Sequence, residues 1–310
     1  MKEKKRAKRN KTLEILPEEK EKLSEFFIPV SAFDSSGICD IQNKIIHGDT
    51  FQALPHLPEK FADLLFLDPP YNLTKDFDGE IFRQRKSVNY EKWFSDIFEK
   101  LLPLLKPEAS VYVCADWKSS CEIYNVISKH LTVRNRITWE REKGRGSLTN
   151  WKNCSEDIWF ATVSNKYKFH PERVKLKRRV IAPYKENGKP KDWEDNESGK
   201  FRLTFPSNFW NDITVPFWSM SENTDHPTQK PEKLLAKLIL ASTEPGDTVF
   251  DPFLGSGSSA VTAKKLGRNY TGIESQINYC LFAAKRLKMA ELDPSIQGYN
   301  GVFKERNAKE

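Results

Sequence analysis

The sequence has no apolar run long enough to cross a membrane, since such a helix needs about 18 consecutive apolar residues. The five cysteines form no Cys-x-x-Cys pair and have no metal-ligand spacing with the five histidines. We therefore expect no metal site, no membrane partner, and reduced thiols in a cytoplasmic protein. The basic N-terminal stretch has no apolar segment behind it, which argues against a secretory signal.

Acidic residues are outnumbered, with 43 Asp and Glu against 50 Lys and Arg, giving a formal net charge of +7 and a pI near 9.0. An excess of positive charge favours a polyanionic partner such as nucleic acid. A merely soluble basic protein has the same composition, so charge alone does not decide between them.

An apolar stretch at residues 61–66 ends abruptly in Asp-Pro-Pro-Tyr at positions 68–71. Two prolines stop a strand because proline fixes φ and has no backbone N–H to donate. The pattern predicts a buried strand that presents a carboxylate, backbone carbonyls and an aromatic ring at its carboxyl end, where α/β sheets bind ligands. Taken alone, it is equally typical of a strand-ending turn with a half-buried tyrosine.

A second motif, Asp-Pro-Phe-Leu-Gly-Ser-Gly-Ser at positions 251–258, follows the predicted strand 248–250. Its glycines fit a dinucleotide-type loop, and Glu274, at the end of the next predicted strand, is suited to binding ribose hydroxyls. Taken alone, the loop does not choose between a nicotinamide dehydrogenase and a methyltransferase. Its late position in the chain, Phe253 and the Asp68 motif disfavour the dehydrogenase.

These two motifs, with His-Pro-Thr-Gln-Lys-Pro at positions 226–231, resemble those of the β-class amino-group DNA methyltransferases, which use S-adenosyl-L-methionine. The resemblance spans residues 44–286. It implies an α/β fold with a doubly wound, mainly parallel sheet, one antiparallel strand near the sheet edge, and an inserted DNA-recognition subdomain.

The resemblance also implies roles for individual residues. Asp68, Pro69, Pro70 and Tyr71 would be catalytic. Lys230 and Thr228, near a helix start, would bind the carboxylate of the cofactor, and Asp49 its adenine amino group, although a helix N-cap is the commonest reason for an aspartate there. The full set implied for the cofactor is Gly48, Asp49, Asp68, His226, Thr228, Lys230, Asp251, Phe253, Gly255, Ser256, Gly257, Ser258 and Glu274.

The implied function is sequence-specific methylation of adenine N6 in double-stranded DNA, by base flipping and direct displacement, as the methylase of a restriction-modification system with a cognate endonuclease. Cytosine N4 is the alternative, although Asp68 favours adenine because serine mostly stands at this place in cytosine enzymes. Cytosine C5 chemistry is excluded, since no cysteine follows a proline. A nucleic-acid-binding protein with a vestigial fold and an RNA methyltransferase are weaker alternatives, and nothing chooses between a monomer and a homodimer.

The chain divides into five predicted segments. They are a basic arm and helix (1–30, with the helix at 13–27), a catalytic half (31–164), a recognition insertion rich in lysine, arginine and aromatic residues (165–225), a cofactor half (226–294) and a C-terminal tail (295–310). Within the catalytic half we expect a helix at 90–105 stopped by Pro107. A flexible basic segment at 141–147 is a candidate for closing on DNA.

Overall fold

The computed structural model describes residues 7–33, 41–72, 75–77, 80–82, 86–141, 148–180, 184–196 and 199–306. The described helices are α1 Lys20–Ser24, α2 Thr50–Ala53, α3 Ser87–Leu101, α4 Ser120–His130, α5 Glu232–Ser242, α6 Ser258–Lys265 and α7 Ile277–Leu292. None of them is long and apolar enough to cross a membrane.

The strands are short at the periphery and longer in the centre of the fold. They are β1 Phe27–Pro29, β2 Lys44–His47, β3 Ala62–Leu67, β4 Lys75–Phe77, β5 Glu80–Phe82, β6 Leu105–Ala115, β7 Thr132–Glu140, β8 Ser155–Thr162, β9 Leu176–Arg179, β10 Lys185–Glu186, β11 Lys189–Pro190, β12 Glu194–Asn196, β13 Gly199–Thr204, β14 Phe209–Trp210, β15 Thr248–Asp251, β16 Asn269–Glu274 and β17 Phe303–Lys304.

The main sheet has nine strands in the order β1-β2-β16-β15-β3-β6-β8-β7-β14. All neighbouring pairs are parallel except those of β8, which runs antiparallel to both β6 and β7. The predicted mainly parallel sheet with one antiparallel strand near its edge is confirmed.

Helices cover both faces of this sheet, as a doubly wound fold requires. On one face the core includes apolar side chains of α3 and α4, such as Phe94 and Ile123. On the other face it includes side chains of α5, α6 and α7, such as Leu235 and Leu287. Strand β3 lies between these layers with every residue buried, which explains why its sequence is apolar apart from Asp63 near its start.

Strands β9, β12 and β13 of the insertion 165–225 form a smaller sheet in the order β12-β13-β9-β17. Strand β17, from the predicted tail, pairs in parallel with β9, so the two segments share one sheet. Trp210, Ile213 and Val215 belong to the main core. The division of the chain into segments stays a prediction, but the insertion and the tail are both continuous with the main fold.

Two predicted helices have other bounds. In place of a helix over 13–27, a 3₁₀ turn at Pro17–Glu19 leads into the short α1, and Phe27 begins β1. The predicted helix 90–105 is α3, which ends at Leu101 because Pro103 lacks the N–H that a continued helix would need. Pro107 does not stop this helix, since it lies within β6. The predicted flexible segment falls largely on residues 142–147, and the first six residues of the basic arm also lie outside the described residues.

Candidate active site

Four neighbouring parallel strands place the predicted site residues at one edge of the sheet. Asp68 directly follows β3, Asp251 ends β15, Glu274 ends β16, and Gly48 follows β2. A pocket at this edge contains both the Asp68 motif and the glycine loop, which lie far apart in sequence. Its lining residues are Phe66, Asp68, His226, Thr228, Gln229, Lys230, Leu235, Asp251, Phe253, Leu254, Gly255, Ser256, Ser258 and Ser259.

The Asp68 carboxylate has both of its oxygens engaged. The Tyr71 hydroxyl donates to Oδ1 over 2.9 Å, and the Lys230 ammonium donates to Oδ2 over 2.5 Å. Lys230 Nζ also lies 3.2 Å from the Tyr71 hydroxyl oxygen and 5.4 Å from the centre of the tyrosine ring. Asp68 and Tyr71 therefore form one hydrogen-bonded group with a buried lysine from the third motif.

Lys230 is 5% exposed and faces a second carboxylate, Glu156 of β8, with Nζ 3.6 Å from Oε2. Burial alone would lower the pKa of the Lys230 ammonium, but Asp68 and Glu156 outweigh burial and raise this pKa above its ordinary value. The lysine therefore stays charged throughout the working pH range. Arg141, at the end of β7, donates to the other oxygen of Glu156.

The two prolines of the motif differ in their surroundings. The Tyr90 hydroxyl, from α3, donates to the Pro70 carbonyl over 3.1 Å. Pro69 is buried and Pro70 is partly exposed. The Pro70 carbonyl therefore already has one donor from the protein.

The glycine loop needs glycine at two positions. Gly255 has φ of +55°, and a Cβ there would lie 2.9 Å from Nε2 of His226. Gly257 has φ of +83°, and its Cβ would lie 2.5 Å from the Cβ of Ala283 on α7. The loop can therefore pass between the histidine ring and α7 only without side chains at these two positions.

Glu274 shapes this loop through its carboxylate. Its Oε2 accepts from the Gly255 N–H over 2.8 Å, and Oε1 accepts from the Gln276 N–H over 2.7 Å. The predicted contact of Glu274 with ribose hydroxyls is not tested by these bonds. They do show that the carboxylate supports the backbone of the glycine loop.

Asp251 is buried below the same loop. Its Oδ1 accepts from the Phe253 N–H over 3.0 Å, and its Oδ2 accepts from the Ser259 hydroxyl over 2.5 Å. Burial raises the pKa of the Asp251 carboxyl to about 7, although both hydrogen bonds act in the opposite direction. The ring of Phe253 lines the pocket and lies near Trp93, with ring centres 6.4 Å apart.

Asp49 is the N-cap of α2, where its side chain accepts from the Gln52 N–H over 3.2 Å. Asp49 is exposed, so capping leaves it open to a further partner. The preceding Gly48 donates its N–H to the Glu274 carbonyl over 2.9 Å, which joins the ends of β2 and β16.

The His-Pro-Thr-Gln-Lys-Pro segment leads into α5, and Pro231 is the N-cap of this helix. The Thr228 N–H donates to Nδ1 of His226, whose ring meets Tyr279 edge to face at 4.4 Å. Lys230 points at Asp68. Its predicted contact with a cofactor carboxylate stays a prediction.

Sequence reasoning missed several residues that hold the site together. Ser259 stands in the glycine loop itself, one residue beyond the predicted set, and could have been included. Arg286 of α7 donates to the carbonyl of Ser256 and to the hydroxyl of Ser258. Neither Arg286 nor Glu156 belongs to a recognisable motif, so only the fold reveals them.

Comparisons with known proteins agree with this geometry. A family model for N6 and N4 DNA methylases matches residues 62–285. The chain is 31% identical over 253 residues to the DNA adenine methyltransferase YhdJ of Escherichia coli (strain K12), covering 79% of this chain and 83% of that protein. It is 28% identical over 265 residues to the type II methyltransferase M.HpaI of Haemophilus parainfluenzae, covering 84% of this chain and 78% of that protein. Among solved structures, the M1.HpyAVI–SAM complex matches with a TM-score of 0.53 at 22% identity, covering 78% of this chain and 98% of that one.

Proposed function

We propose that this chain, which belongs to the N6 and N4 family of DNA methylases, methylates the exocyclic N6 of adenine in double-stranded DNA. As a member of this family it is an S-adenosyl-L-methionine-dependent DNA methyltransferase. The observation that carries the adenine assignment is the Asp68 carboxylate, followed by Pro69, in the same pocket as the glycine loop.

The exocyclic nitrogen of adenine is a poor nucleophile because its lone pair is delocalised into the ring. Asp68 can accept one N6 hydrogen while the Pro69 carbonyl accepts the other. Two acceptors on one amino group favour a tetrahedral nitrogen and localise the lone pair. Asp68 therefore acts through orientation and charge stabilisation rather than as a strong base, and it can accept the proton that the positively charged nitrogen loses once it carries the methyl group.

S-adenosyl-L-methionine supplies, when bound, a methyl group activated by a sulfonium, which the nitrogen takes by in-line displacement while the sulfur keeps the electron pair of the broken bond. The chain fits this cofactor at the glycine loop, where the missing side chains of Gly255 and Gly257 allow close approach. Asp251 and Glu274 hold the loop through backbone and hydroxyl bonds. The rest of the proposed cofactor set is Gly48, Asp49, Asp68, His226, Thr228, Lys230, Phe253, Ser256 and Ser258.

The target base must leave the duplex to reach Asp68, because the N6 group is otherwise paired and stacked. Tyr71 is partly exposed beside Asp68 and can stack on the extruded base. Such a contact contributes about 1–3 kcal/mol, which helps offset the few kcal/mol needed for unstacking. We propose base flipping on these grounds.

The family resemblance and the type II name of M.HpaI favour a restriction-modification role with a cognate endonuclease as functional partner. We place the recognition of the target sequence in residues 165–225. A cytoplasmic location goes with this role.

The direct test is to incubate the protein with tritiated S-adenosyl-L-methionine and an unmethylated plasmid, digest the DNA to nucleosides, and separate them. We expect the label in N6-methyladenine, and mapping the modified positions would then give the recognition sequence. Label in N4-methylcytosine would overturn the adenine assignment and support the alternative. Isothermal titration with the cofactor tests the vestigial-fold alternative, which predicts no binding.

A further inference from the structure

Lys230 already donates a hydrogen bond to the Asp68 carboxylate, which the proposed reaction needs as the acceptor for the amino group of the base. Its ammonium lies 2.5 Å from Oδ2 of Asp68, and the Tyr71 hydroxyl occupies Oδ1. Each carboxylate oxygen can accept a second bond, but the Lys230 ammonium competes with the amino group of a substrate base for Oδ2, so the bond to the base strengthens when the lysine moves away. Tyr71 is held by the turn that also holds Asp68, whereas Lys230 comes from a separate segment on a long side chain.

Glu156 offers the lysine a second position. Its Oε2 lies 3.6 Å from Lys230 Nζ, is buried, and accepts no hydrogen bond from any described residue. Glu156 is 1% exposed, and its other oxygen is already bonded to Arg141. A buried carboxylate oxygen with a cation just beyond hydrogen-bond distance is costly unless the cation reaches it in some state of the protein.

We propose that Glu156 is a positioning residue that takes over the Lys230 ammonium when the target base binds, and so releases Oδ2 of Asp68 for the amino group. The lysine stays in the pocket, so the negative charges of Asp68 and Glu156 remain balanced in both arrangements. This inference rests on the proposed function, since it describes how the base gains access to Asp68.

The charged and titratable groups around Lys230 come from several elements. Lys230 faces Asp68 of the β3 turn, Glu156 of β8, Cys114 of β6 and Arg141 at the end of β7. Asp251 of β15, whose pKa is raised to about 7, adds a further negative charge near Asp68 only when it ionises. With the lysine absent, these carboxylates would be left without their shared cation, so the acidic limb of the pH–rate profile would move to higher pH.

The test compares single-turnover methyl transfer to plasmid DNA by the wild type, Glu156→Gln, Lys230→Met and the double variant. Glutamine keeps an oxygen for Arg141 but removes the charge that receives the lysine. We expect Glu156→Gln to slow transfer on the order of tenfold or more at every pH, with cofactor affinity unchanged. We expect Lys230→Met to move the acidic limb of the pH–rate profile to higher pH.

The double variant gives the sharpest result. If the lysine competes for Asp68, then removing it should make the double variant faster than Glu156→Gln at saturating cofactor and at the alkaline end of the pH–rate profile. Lys168→Met is the matched control, because Lys168 also bridges two carboxylates, Asp247 at 2.6 Å and Asp63 at 3.7 Å, at the opposite end of β3. It should leave the pH–rate profile unchanged.

The inference is overturned if Glu156→Gln transfers the methyl group at the wild-type rate. It is also overturned if the double variant is no faster than Glu156→Gln. Should Glu156→Gln fail to fold, Lys230→Met alone decides, since an unmoved acidic limb contradicts the inference. If the wild type itself places no label in DNA, the proposed function fails instead, so the two failures are distinguishable.

Discussion

Asp68 is the residue that accepts a hydrogen of the amino group in the proposed reaction. It directly follows strand β3, which carries a second aspartate, Asp63, near its other end. Asp68→Ala removes the acceptor for the amino group, so we expect methyl transfer to fall about 100-fold or more. Cofactor affinity should change little, because the glycine loop is held by Asp251 and Glu274. Single-turnover transfer and isothermal titration measure the two quantities.

Asp63→Ala is the control for this substitution. Asp63 begins the same buried strand and binds Lys106 over 2.7 Å, so its loss should lower stability without slowing transfer in the folded protein. A near-normal rate for Asp68→Ala would contradict the assigned chemistry.

Tyr71 combines a hydroxyl bond to Asp68 with a ring proposed to stack on the base. Tyr71→Phe removes only the bond, whereas Tyr71→Ala removes both. We expect Tyr71→Ala to lose a further 1–3 kcal/mol, about fivefold to 150-fold, in kcat/KM for DNA relative to Tyr71→Phe. Equal kcat/KM values for the two variants would show that the ring does not contact the base.

Asp251 should make stability depend on pH. Its pKa in the folded protein is raised to about 7 from an ordinary 3.8, so the unfolded chain ionises first as pH rises. The stability that neutral Asp251 preserves is complete below about pH 4 and is lost as pH rises through about 7. An asparagine side chain cannot ionise, so Asp251→Asn does not lose this stability. We expect the unfolding free energy of the variant to rise relative to that of the wild type by up to about 4 kcal/mol between pH 4 and 8, and its melting temperature to rise relative to the wild type in parallel. An advantage independent of pH would contradict the assignment.

At the scale of elements, the packing of α6 against α7 depends on Gly257. It is the N-cap of α6 with φ of +83°, and an added Cβ would lie 2.5 Å and 2.8 Å from the Cβ and Cα of Ala283. Gly257→Ala should therefore combine an unfavourable φ with a backbone clash and lower the unfolding free energy by about 2–4 kcal/mol. Urea unfolding measures this change.

Gly267→Ala is the matched control, since Gly267 has φ of +73° but nothing within 4 Å of its added Cβ. It should cost only the conformational term, about 1–2 kcal/mol. Equal losses at the two glycines would show that the contact between the helices is not tight.

The elements nearest the site were the most predictable from sequence. Strand β3 is apolar apart from Asp63 and is followed, after Asp68, by two prolines, and the glycine loop follows β15 directly, so local patterns placed Asp68 and Gly255 at strand ends. Whether those ends were neighbours depended on strand order. That order came from the family resemblance, because no local pattern in the chain specifies it.

What the sequence could not reveal is contact between distant residues. The bond from Lys230 to Asp68 joins positions 162 residues apart, and Glu156 comes from a strand without any motif. Likewise, β17 contributes to the small sheet through backbone pairing with β9, which any sequence of suitable length can make. These contacts arise from topology, whereas the predicted features arise from side-chain patterns.

At the scale of the whole molecule, the net charge is +7, and several of the basic residues lie together in the small sheet β12-β13-β9-β17. Arg178 of β9 lies directly opposite Arg202 of β13 in an antiparallel pair. Like charges in such positions destabilise a sheet unless an anion lies near them. The same sheet carries lysines over aromatic rings, with Lys177 Nζ 4.6 Å from the centre of Phe201 and Lys175 Nζ 4.7 Å from that of Phe205.

This sheet belongs to the region where we propose that DNA is recognised, so its cations should contribute to binding through phosphate contacts. Arg202 is exposed, and its nearest described carboxylate is Asp192 at 3.5 Å. Arg202→Gln should lower the slope of log affinity against log salt concentration by about 1 and weaken binding to all DNA sequences alike. Fluorescence anisotropy over a salt series measures the slope.

Lys264→Gln is the control, because Lys264 lies on α6, outside the small sheet, and is paired with Glu291 of α7. It removes the same unit of charge, so any effect of net charge alone should appear in both variants. A slope that falls equally in both would mean that DNA responds to the overall charge of the protein. A fall confined to Arg202→Gln would place a phosphate at the small sheet, because only a local contact releases a counterion from the DNA at that position.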